Sequence, residues 1–248
     1  MTDIKNHDQT LSIVIPCYNE GKNIPLIVER LSSLLKDRRD VQVVLVDNGS
    51  NDLSFSNIDQ LIEGKACFTV CRVENNQGYG FGILSGLKSA TGTVLSWTHA
   101  DLQTDPQDVL HAFDLYLRSL QAHPQMIIKG ERRNRKAMEK LFTFGMQLIA
   151  SSALRAPLSD INAQPKLFSR RFYQDFLIKE APWDFSLDLF LLYQAKRHGF
   201  EVLTVPVDFA DRIHGEAKGG GSWKTRYKLM RRTFKYIFEL KRKVQSLN

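Results

Sequence analysis

Residues Leu11–Pro16 read LSIVIP and residues Val41–Val46 read VQVVLV. Both runs are short, uncharged and rich in β-branched side chains, which is typical of strands buried on both faces. Asn23 is predicted to cap a helix between them, with Pro25 in its first turn. The apolar positions of that helix recur at helical spacing: Ile24, Ile27, Val28, Leu31, Leu34 and Leu35. The order of strand, helix and strand predicts a parallel pair joined by a crossover helix.

The same alternation continues along the chain. Further strands are predicted at Phe68–Val73, Thr93–Thr98, Gln125–Lys129 and Glu201–Asp208, and residues 160–170 are predicted to form a loop and a short strand. Further helices are predicted up to about Ala90, from Pro106, over residues 136–154 and over Phe185–His198. No stretch is dense enough in Pro, Gly or Ser to divide this region. We therefore predict one α/β domain over residues 1–221, with a mostly parallel sheet flanked by helices, followed by a C-terminal amphipathic helix over residues 222–248.

Composition limits the classes of protein that this chain can belong to. It has 248 residues, of which 43% are hydrophobic, with only 15 Gly and 8 Pro, which excludes disordered and collagen-like chains. The three cysteines are an odd number, and Cys67 and Cys71 on one strand would stand ~13 Å apart, too far to form a disulfide. The first ten residues lack an apolar core, and the uncharged run 141–154 is shorter than the ~20 residues of a membrane span. We expect reduced thiols and a cytoplasmic protein.

The net charge of +7 is concentrated at one end of the chain. Residues 222–248 hold nine Lys or Arg and one Glu, whereas the preceding residues are almost neutral, so a nucleic-acid groove across the domain is not expected. Apolar side chains recur there at helical spacing: Trp223, Tyr227, Met230, Phe234, Ile237, Phe238 and Val244. Such a stripe between cations predicts binding to an anionic membrane surface. The alternative is that the stripe packs back on the domain.

Polar residues follow two of the predicted strands at the point where each ends. Asp47-Asn48-Gly49-Ser50 follows the second strand, and His99-Ala100-Asp101-Leu102-Gln103 follows the fourth. In open α/β sheets, ligands bind beyond the carboxyl ends of the strands. Side chains 99, 101 and 103 alternate along an extended segment, so an imidazole, a carboxylate and an amide oxygen can face one divalent cation. The alternative is that both acidic segments only form turns or helix caps.

The turn after the first strand narrows the function further. A phosphate-binding Gly-x-Gly-x-x-Gly is missing there, and Cys17-Tyr18-Asn19-Glu20 takes its place, which argues against a dinucleotide oxidoreductase. In chain order, the motifs of interest are VIPCYNE (14–20), VDNGSND (46–52), NQGYG (76–80), HADLQTDP (99–106), GER (130–132), DINAQPKLFSR (160–170) and DRIHGEAK (211–218). With these motifs, residues 11–221 resemble the family 2 glycosyltransferases of GT-A fold, and among them the polyprenol- or dolichol-phosphate hexosyltransferases such as dolichol-phosphate mannose synthase. His99 stands where the family has Asp, and Ala217 where it has Ser.

The resemblance implies a role for each matching residue. Nucleotide-sugar binding is implied for Pro16, Tyr18, Glu20, Asp47, Asn48, Gly78 and Asp101. A divalent metal, Mg²⁺ or Mn²⁺, is implied at His99, Asp101 and Gln103. Contact with an acceptor phosphate is implied for Arg132, Lys166, Arg212 and Lys218. Catalysis is implied for Asp101, Arg132, Asp188, Arg212 and Lys218, whereas Arg170 is expected to be a solvated surface cation.

The chemistry of transfer bears on the acceptor. Breaking a sugar–diphosphate bond places negative charge on the leaving nucleotide, which a cation and Lys or Arg donors stabilise. A lipid phosphate is already an anionic nucleophile and needs no base, so the basic residues favour inverting transfer of a hexose from a GDP- or UDP-sugar to a polyprenyl phosphate at the inner face of the membrane. Asp184 or Asp188 could act as a base, which leaves a saccharide acceptor in surface glycan synthesis open. Because His99 replaces the Asp of the family's metal motif, a catalytically inactive nucleotide-binding scaffold remains a second alternative.

Overall fold

A seven-stranded sheet forms the centre of the molecule in a computed structural model, which describes residues 9–133, 147–210 and 223–245, with the side chains of the last segment described for residues 231–242. The strands are β1 Leu11–Cys17, β2 Val41–Asn48, β3 Phe68–Val73, β4 Val94–Trp97, β5 Met126–Arg133, β6 Lys166–Ser169 and β7 Glu201–Asp208. Their order across the sheet is β3-β2-β1-β4-β6-β5-β7. The predicted mostly parallel sheet is confirmed.

Helices cover both faces of the sheet. They are α1 Ile24–Leu34, α2 Ile58–Leu61, α3 Tyr79–Ser89, α4 Gln107–Ser119, α5 over residues 147–154, α6 Arg170–Phe172 continued by a π-helical turn Tyr173–Leu177, α7 Leu187–Arg197 and α8 Trp223–Gln245. One apolar core lies between the sheet and α1 and α4, and the other lies between the sheet and α3, α7 and α8. Alternate residues of β1 enter opposite cores, with Ile13 and Ile15 on the α1 side and Val14 on the α3 side.

Strand β6 interrupts the parallel order. It pairs antiparallel with β4 on one side and with β5 on the other, whereas the β1–β2, β1–β4, β2–β3 and β5–β7 pairs are parallel. The insertion places Lys166 between Trp97 of β4 and Lys129 of β5. Because directly paired residues of adjacent strands project to the same face, these three side chains lie side by side on the α7 face.

Several local expectations are corrected by the structure. Asn23 has helical dihedral angles and its side chain makes no cap; its amide donates to Glu20 at 2.6 Å instead. Strand β2 runs through Asp47 and Asn48, and β5 runs through Gly130–Arg132, because both extensions pair with a neighbouring strand. Residues 170–177 form helical turns, which the sequence pattern did not predict.

The C-terminal helix α8 contacts the domain. Ile237 and Leu240 are buried in the core shared with α7, Phe234 is partly buried against it, and Phe238 is 53% exposed. Arg232 forms an ion pair with Asp184 at 2.9 Å. The expected apolar stripe is therefore divided, since Phe234 and Ile237 face the domain and cannot enter a bilayer. Among the residues that the structure describes, no helix combines the length and apolar character needed to cross a membrane.

Candidate functional site

The ends of β1 and β2 are joined by side-chain hydrogen bonds. Asn19, with a left-handed φ of 55°, receives the Asn51 backbone N–H on its side-chain oxygen at 2.9 Å, and its own N–H donates to the Ser50 hydroxyl at 3.2 Å. Asn51 also donates to the Tyr18 hydroxyl at 3.2 Å, and Asp47 accepts the Ser50 N–H at 3.0 Å. The predicted donor residues Tyr18 and Asp47 therefore share one polar edge, which the turns after both strands hold in place.

Asn48 faces into the protein and not into the edge. Its side chain is buried and donates to the Gly78 carbonyl at 3.1 Å. Glu20 accepts from Asn23 and so fixes the start of α1, and Pro16 lies within β1 opposite Val46. In this structure Asn48 positions the glycine-rich turn, and Glu20 and Pro16 support the first turn of the site.

The glycines at the start of α3 are explained by close packing. Gly78 has a φ of 127°, and a Cβ on it would come within 2.4 Å of the Trp183 carbonyl oxygen. A Cβ on Gly80 would meet the Pro182 carbonyl oxygen at the same distance. The Phe81 N–H donates to the Trp183 carbonyl at 3.0 Å. These glycines let the 182–184 segment lie directly on the N-terminus of α3, so the motif has a packing role in addition to any contact with nucleotide.

The predicted metal residues lie in the turn after β4. Asp101 is buried, and one of its oxygens accepts the Gln103 N–H at 3.2 Å across Leu102, whose φ is 55°. The Gln103 side-chain amide donates to the Ala210 carbonyl at 3.2 Å, and the Ala210 N–H donates to the Gln103 carbonyl at 2.8 Å. These bonds attach the segment that follows β7 to the turn.

The donor set of this turn fits a divalent cation that also binds phosphate. No group of three His, Cys, Asp or Glu side chains able to hold a metal occurs among residues 9–133, 147–210 and 231–242. Mg²⁺ in nucleotide sites uses one or two carboxylates together with phosphate oxygens and water, and does not need a complete protein cage. Asp101 supplies the carboxylate, and Gln103 adds a neutral oxygen. His99 adds an imidazole, a ligand more typical of transition metals.

Tyr79 is a central residue that sequence reasoning missed. Its ring stacks on His99 with centroids 5.7 Å apart and on Phe185 with centroids 4.8 Å apart. Burial, followed by the negative charges of Asp188 and Asp101, raises the pKa of the Tyr79 hydroxyl well above its ordinary value. Tyr79 therefore stays neutral and links the His99–Gln103 turn to the segment that precedes α7. Its place within the NQGYG motif was the only signal in the sequence.

Asp188 and Lys166 form a buried ion pair. Their charged atoms are 3.0 Å apart, and both side chains are almost completely buried. Asp188 also accepts from the Gln164 amide at 2.9 Å, and Lys166 donates to the Ala163 carbonyl. Burial lowers the pKa of Lys166 although Asp188 opposes this effect. The structure thus brings a predicted catalytic residue and a predicted phosphate ligand together, but as partners of each other.

Arg132 is also engaged within the protein. Its guanidinium forms a close ion pair with Asp160, and its backbone N–H donates to the second Asp160 oxygen at 2.9 Å. The guanidinium carbon lies 5.5 Å from the centre of the Phe209 ring. Arg170 is not a solvated cation, because it donates to the carbonyls of Ala90 and Gly92 at the opposite end of β4. Arg212 and Lys218, the other predicted phosphate ligands, lie outside the described residues, as does Ala217.

Comparison with known proteins gives a family and a set of relatives. The model of glycosyl transferase family 2 matches residues 12–177, about two thirds of the chain. The undecaprenyl-phosphate 4-deoxy-4-formamido-L-arabinose transferase of Aeromonas hydrophila is 25% identical over 228 residues, covering 88% of this chain and 64% of that protein. The protein of the same name from Pseudomonas fluorescens is 26% identical over 217 residues, covering 84% and 59%. The chain thus spans less than two thirds of the length of these relatives.

Solved structures show the same fold. Glucosyl-3-phosphoglycerate synthase from Mycobacterium tuberculosis in complex with UDP superposes with a TM-score of 0.71 at 16% identity, covering 94% of this chain and 80% of that one. A mannosyltransferase from Pyrobaculum calidifontis in complex with GDP-Man and Mn²⁺ superposes with a TM-score of 0.63 at 20% identity, covering 93% and 64%. These similarities establish the GT-A architecture expected from the sequence.

Proposed function

Because this chain belongs to glycosyl transferase family 2, we propose that it transfers a hexose from a GDP- or UDP-linked donor to a polyprenyl-phosphate carrier. The observation that carries the proposal is that the Asp47 and Asp101 turns lie at the carboxyl ends of β2 and β4, the two strands that pair in parallel with β1 on either side. The names of the relatives support the acceptor class, since both contain undecaprenyl phosphate.

The donor is assigned to the polar edge formed by the first two strands. Tyr18 and Asp47 are half-buried there, and they are the residues that we propose to contact the nucleoside. Asn48 and Gly78 act on the donor indirectly, because the hydrogen bond between them holds the glycine-rich turn in position. Pro16 and Glu20 support the first turn in the same way. Donor binding therefore depends on two kinds of residue, those that touch the ligand and those that position them.

The diphosphate is assigned to the turn after β4. Asp101, with His99 and Gln103, would hold Mg²⁺ or Mn²⁺ there. When bound, such an ion supplies positive charge that stabilises the leaving nucleoside diphosphate. Asp101 is held by the Gln103 N–H and His99 by the Tyr79 ring, so both side chains are oriented before a ligand arrives. Arg212 and Lys218 are proposed as further phosphate ligands.

Transfer is proposed as one displacement at the anomeric carbon. An oxygen of the acceptor phosphate attacks C1, the bond from C1 to the diphosphate oxygen breaks, and the nucleoside diphosphate leaves with inversion. The acceptor phosphate needs no base because it is already ionised. The Lys166–Asp188 pair supports this scheme, since a carboxylate that is buried and bonded to an ammonium is poorly placed to accept a proton from a saccharide hydroxyl. We assign Asp188 a positioning role.

Membrane contact is proposed through the exposed side of α8. Phe238 is exposed there, next to the exposed cations Arg231, Lys235 and Arg242. An apolar side chain among cations favours an anionic bilayer surface, where each Lys or Arg contributes ~1 kcal/mol. A lipid-linked acceptor requires the enzyme to reach such a surface, so we place the protein at the inner face of the membrane.

Transfer from a radiolabelled donor tests the proposal. The full chain is incubated with undecaprenyl phosphate, a divalent cation and, in separate reactions, labelled GDP- and UDP-hexoses, and the product is extracted into organic solvent. We expect acceptor-dependent label in the organic phase that mild acid releases. Label that appears only in a water-soluble saccharide product would replace the lipid acceptor with a saccharide. No transfer or hydrolysis with any donor, despite donor binding, would instead support an inactive scaffold.

A further inference from the structure

Lys129 is a buried lysine that the proposed transfer does not use. It lies on β5 with 1% of its surface exposed. Its ammonium donates to the Gly130 carbonyl at 3.3 Å, and within the described part of the chain no carboxylate oxygen pairs with it. Lys166, its direct neighbour on β6, already has a partner in Asp188. Burying an ammonium without a counter-charge is costly, so a residue in this state requires an explanation.

A cavity opens at Lys129. We call it the Lys129 pocket; its volume is about 110 Å³, and its lining residues are Lys129, Pro157, Leu158, Ser159, Leu192, Lys196, Val202 and Thr204. One water molecule needs roughly 15 Å³ of such space, so the pocket has room for a ligand larger than a single water. Its lining residues come from β5, β7, α7 and the segment before Asp160, and it shares no residue with the turns that carry Asp47 and Asp101.

The polar groups that line the pocket are cations and hydroxyls. Two lysines, Lys129 and Lys196, and two hydroxyl residues, Ser159 and Thr204, line the pocket, whereas no lining residue is acidic. Lys196 is half-buried and, like Lys129, has no carboxylate partner among the described residues. Two positive charges and two hydroxyl donors match a doubly charged oxyanion with several acceptor oxygens better than they match a single carboxylate.

The ionisation state of Lys129 suits such a ligand. Burial and then the charge of Lys166 lower its pKa to about 8, while the charges of Asp160 and Glu131 oppose this shift and that of Arg132 adds to it. At neutral pH the ammonium form therefore still predominates. A bound anion would stabilise that form further, because it supplies the missing counter-charge.

We propose that the Lys129 pocket binds a phosphate group, either as inorganic phosphate or as a phosphate monoester, at a site separate from the sugar-transfer edge. Lys129 and Lys196 neutralise its charge, and the Ser159 and Thr204 hydroxyls donate to its oxygens. The apolar residues Leu158 and Leu192 border the same space and are available to an organic group on the ester.

Binding of inorganic phosphate to three lysine variants tests the proposal. Lys129→Met and Lys196→Met each remove one charge and keep the chain length, and Lys36→Met changes an exposed lysine outside the pocket. Isothermal titration should show at least a tenfold loss of phosphate affinity in each pocket variant and none in the control. Without phosphate, Lys129→Met should melt at or above the wild-type temperature, because an unpaired buried charge has been removed. The assay measures binding and does not depend on sugar transfer.

A second ligand distinguishes the sources of the phosphate. A short-chain prenyl monophosphate that binds at least tenfold more tightly than inorganic phosphate, with the same loss in Lys129→Met, identifies a lipid headgroup; equal affinities identify free phosphate. Unchanged phosphate affinity in both pocket variants would overturn the proposal. If Lys129→Met does not fold, Lys196→Met decides, because its side chain is half-buried and its loss leaves the core intact.

Discussion

Asp101 is the side chain on which the proposed chemistry depends most. It is buried, and one of its oxygens accepts the Gln103 N–H of its own turn. His99 beside it is held by the Tyr79 ring. The two side chains are therefore oriented by different contacts, and a change at Asp101 should leave the His99 stack intact.

Asp101→Asn should lower transfer by at least about 100-fold, the scale seen when one electrostatic contact to the leaving group is removed. Asparagine keeps the shape and an acceptor oxygen for the Gln103 N–H, so the melting temperature should change little. Asp59→Asn, at an exposed site, is the control. Initial rates with and without excess EDTA make the measurement, and full activity of the variant or of the EDTA-treated enzyme would disprove the metal assignment.

Asp108 should destabilise the folded state at neutral pH. Partial burial, then the charge of Asp105, raises the pKa of its carboxyl to about 6. The folded state thus binds this proton more tightly than the unfolded state, and stability is lost as pH rises from about 4 to about 6. Asp108→Asn should raise the melting temperature at pH 7, and the gain should vanish as the pH falls to about 4.

Asp105→Asn, at the start of the same helix α4, is the matched comparison for Asp108→Asn. Partial burial raises the pKa of Asp105, but the bonds from Arg30 and Gln107 outweigh it and leave this pKa lowered. Its charge therefore stabilises the fold above about pH 4, and the variant should melt at a lower temperature at pH 7. Equal melting temperatures for the wild type and both variants would contradict this account.

One side of helix α8 packs on the domain and the other side faces solvent, and two adjacent residues lie on these different sides. Ile237 is completely buried in the core and Phe238 is 53% exposed. Ile237→Ala should cost about 2–4 kcal/mol of unfolding free energy because it leaves a cavity. Phe238→Ala should change this free energy by less than about 0.5 kcal/mol. Urea denaturation measures both, and similar values for the two variants would mean that α8 does not dock as described.

The same exposed residue tests membrane contact. Phe238→Ala should reduce co-sedimentation with anionic liposomes, and Arg231→Gln combined with Lys235→Gln should reduce both the binding and its dependence on salt. Both positions are exposed on the helix, so folding is retained. Neutral liposomes serve as the control. Wild-type partitioning of both variants would show that this side of α8 does not hold the protein on the bilayer.

Elements with a continuous apolar run could be predicted from the sequence, and those set by distant partners could not. Phe68–Val73 and Glu201–Asp208 were predicted with their observed ends. The sequence predicted a short strand within residues 160–170 but not its antiparallel place between β4 and β5, because nothing local specifies which strand it joins. The 170–177 turns were missed for a related reason, since Arg170 is fixed by carbonyls some eighty residues away.

The site shows the same division. The Asp101 turn was predicted because strand ends are recognisable in a sequence. The Arg132–Asp160 and Lys166–Asp188 pairs were not, because each joins residues at least 22 positions apart that only the folded sheet brings together. A lysine or arginine in a family motif can therefore form an ion pair within the protein instead of binding a ligand phosphate.

At the scale of the whole molecule, α8 belongs to the same core as the rest of the domain. Ile237 and Leu240 pack in the core that also contains Leu191 and Phe172. Deletion of residues 223–248 should therefore lower the melting temperature, since it exposes that face of the core. Differential scanning calorimetry makes the measurement. An unchanged melting temperature would mean that residues 1–222 fold independently of α8.

The position of strand β6 also affects the order in which the strands of the sheet can pair during synthesis on the ribosome. Strand β4 ends at Trp97, but its neighbour β6 begins only at Lys166. At 5–20 residues per second, the 68 residues between them take roughly 3–14 s to synthesise. During that interval β1, β2, β3 and β4 can already pair, which leaves the backbone of β4 as an open edge on the nascent chain. Strand β6 closes this edge, so a nascent chain halted before Ser169 should be the form most in need of a chaperone.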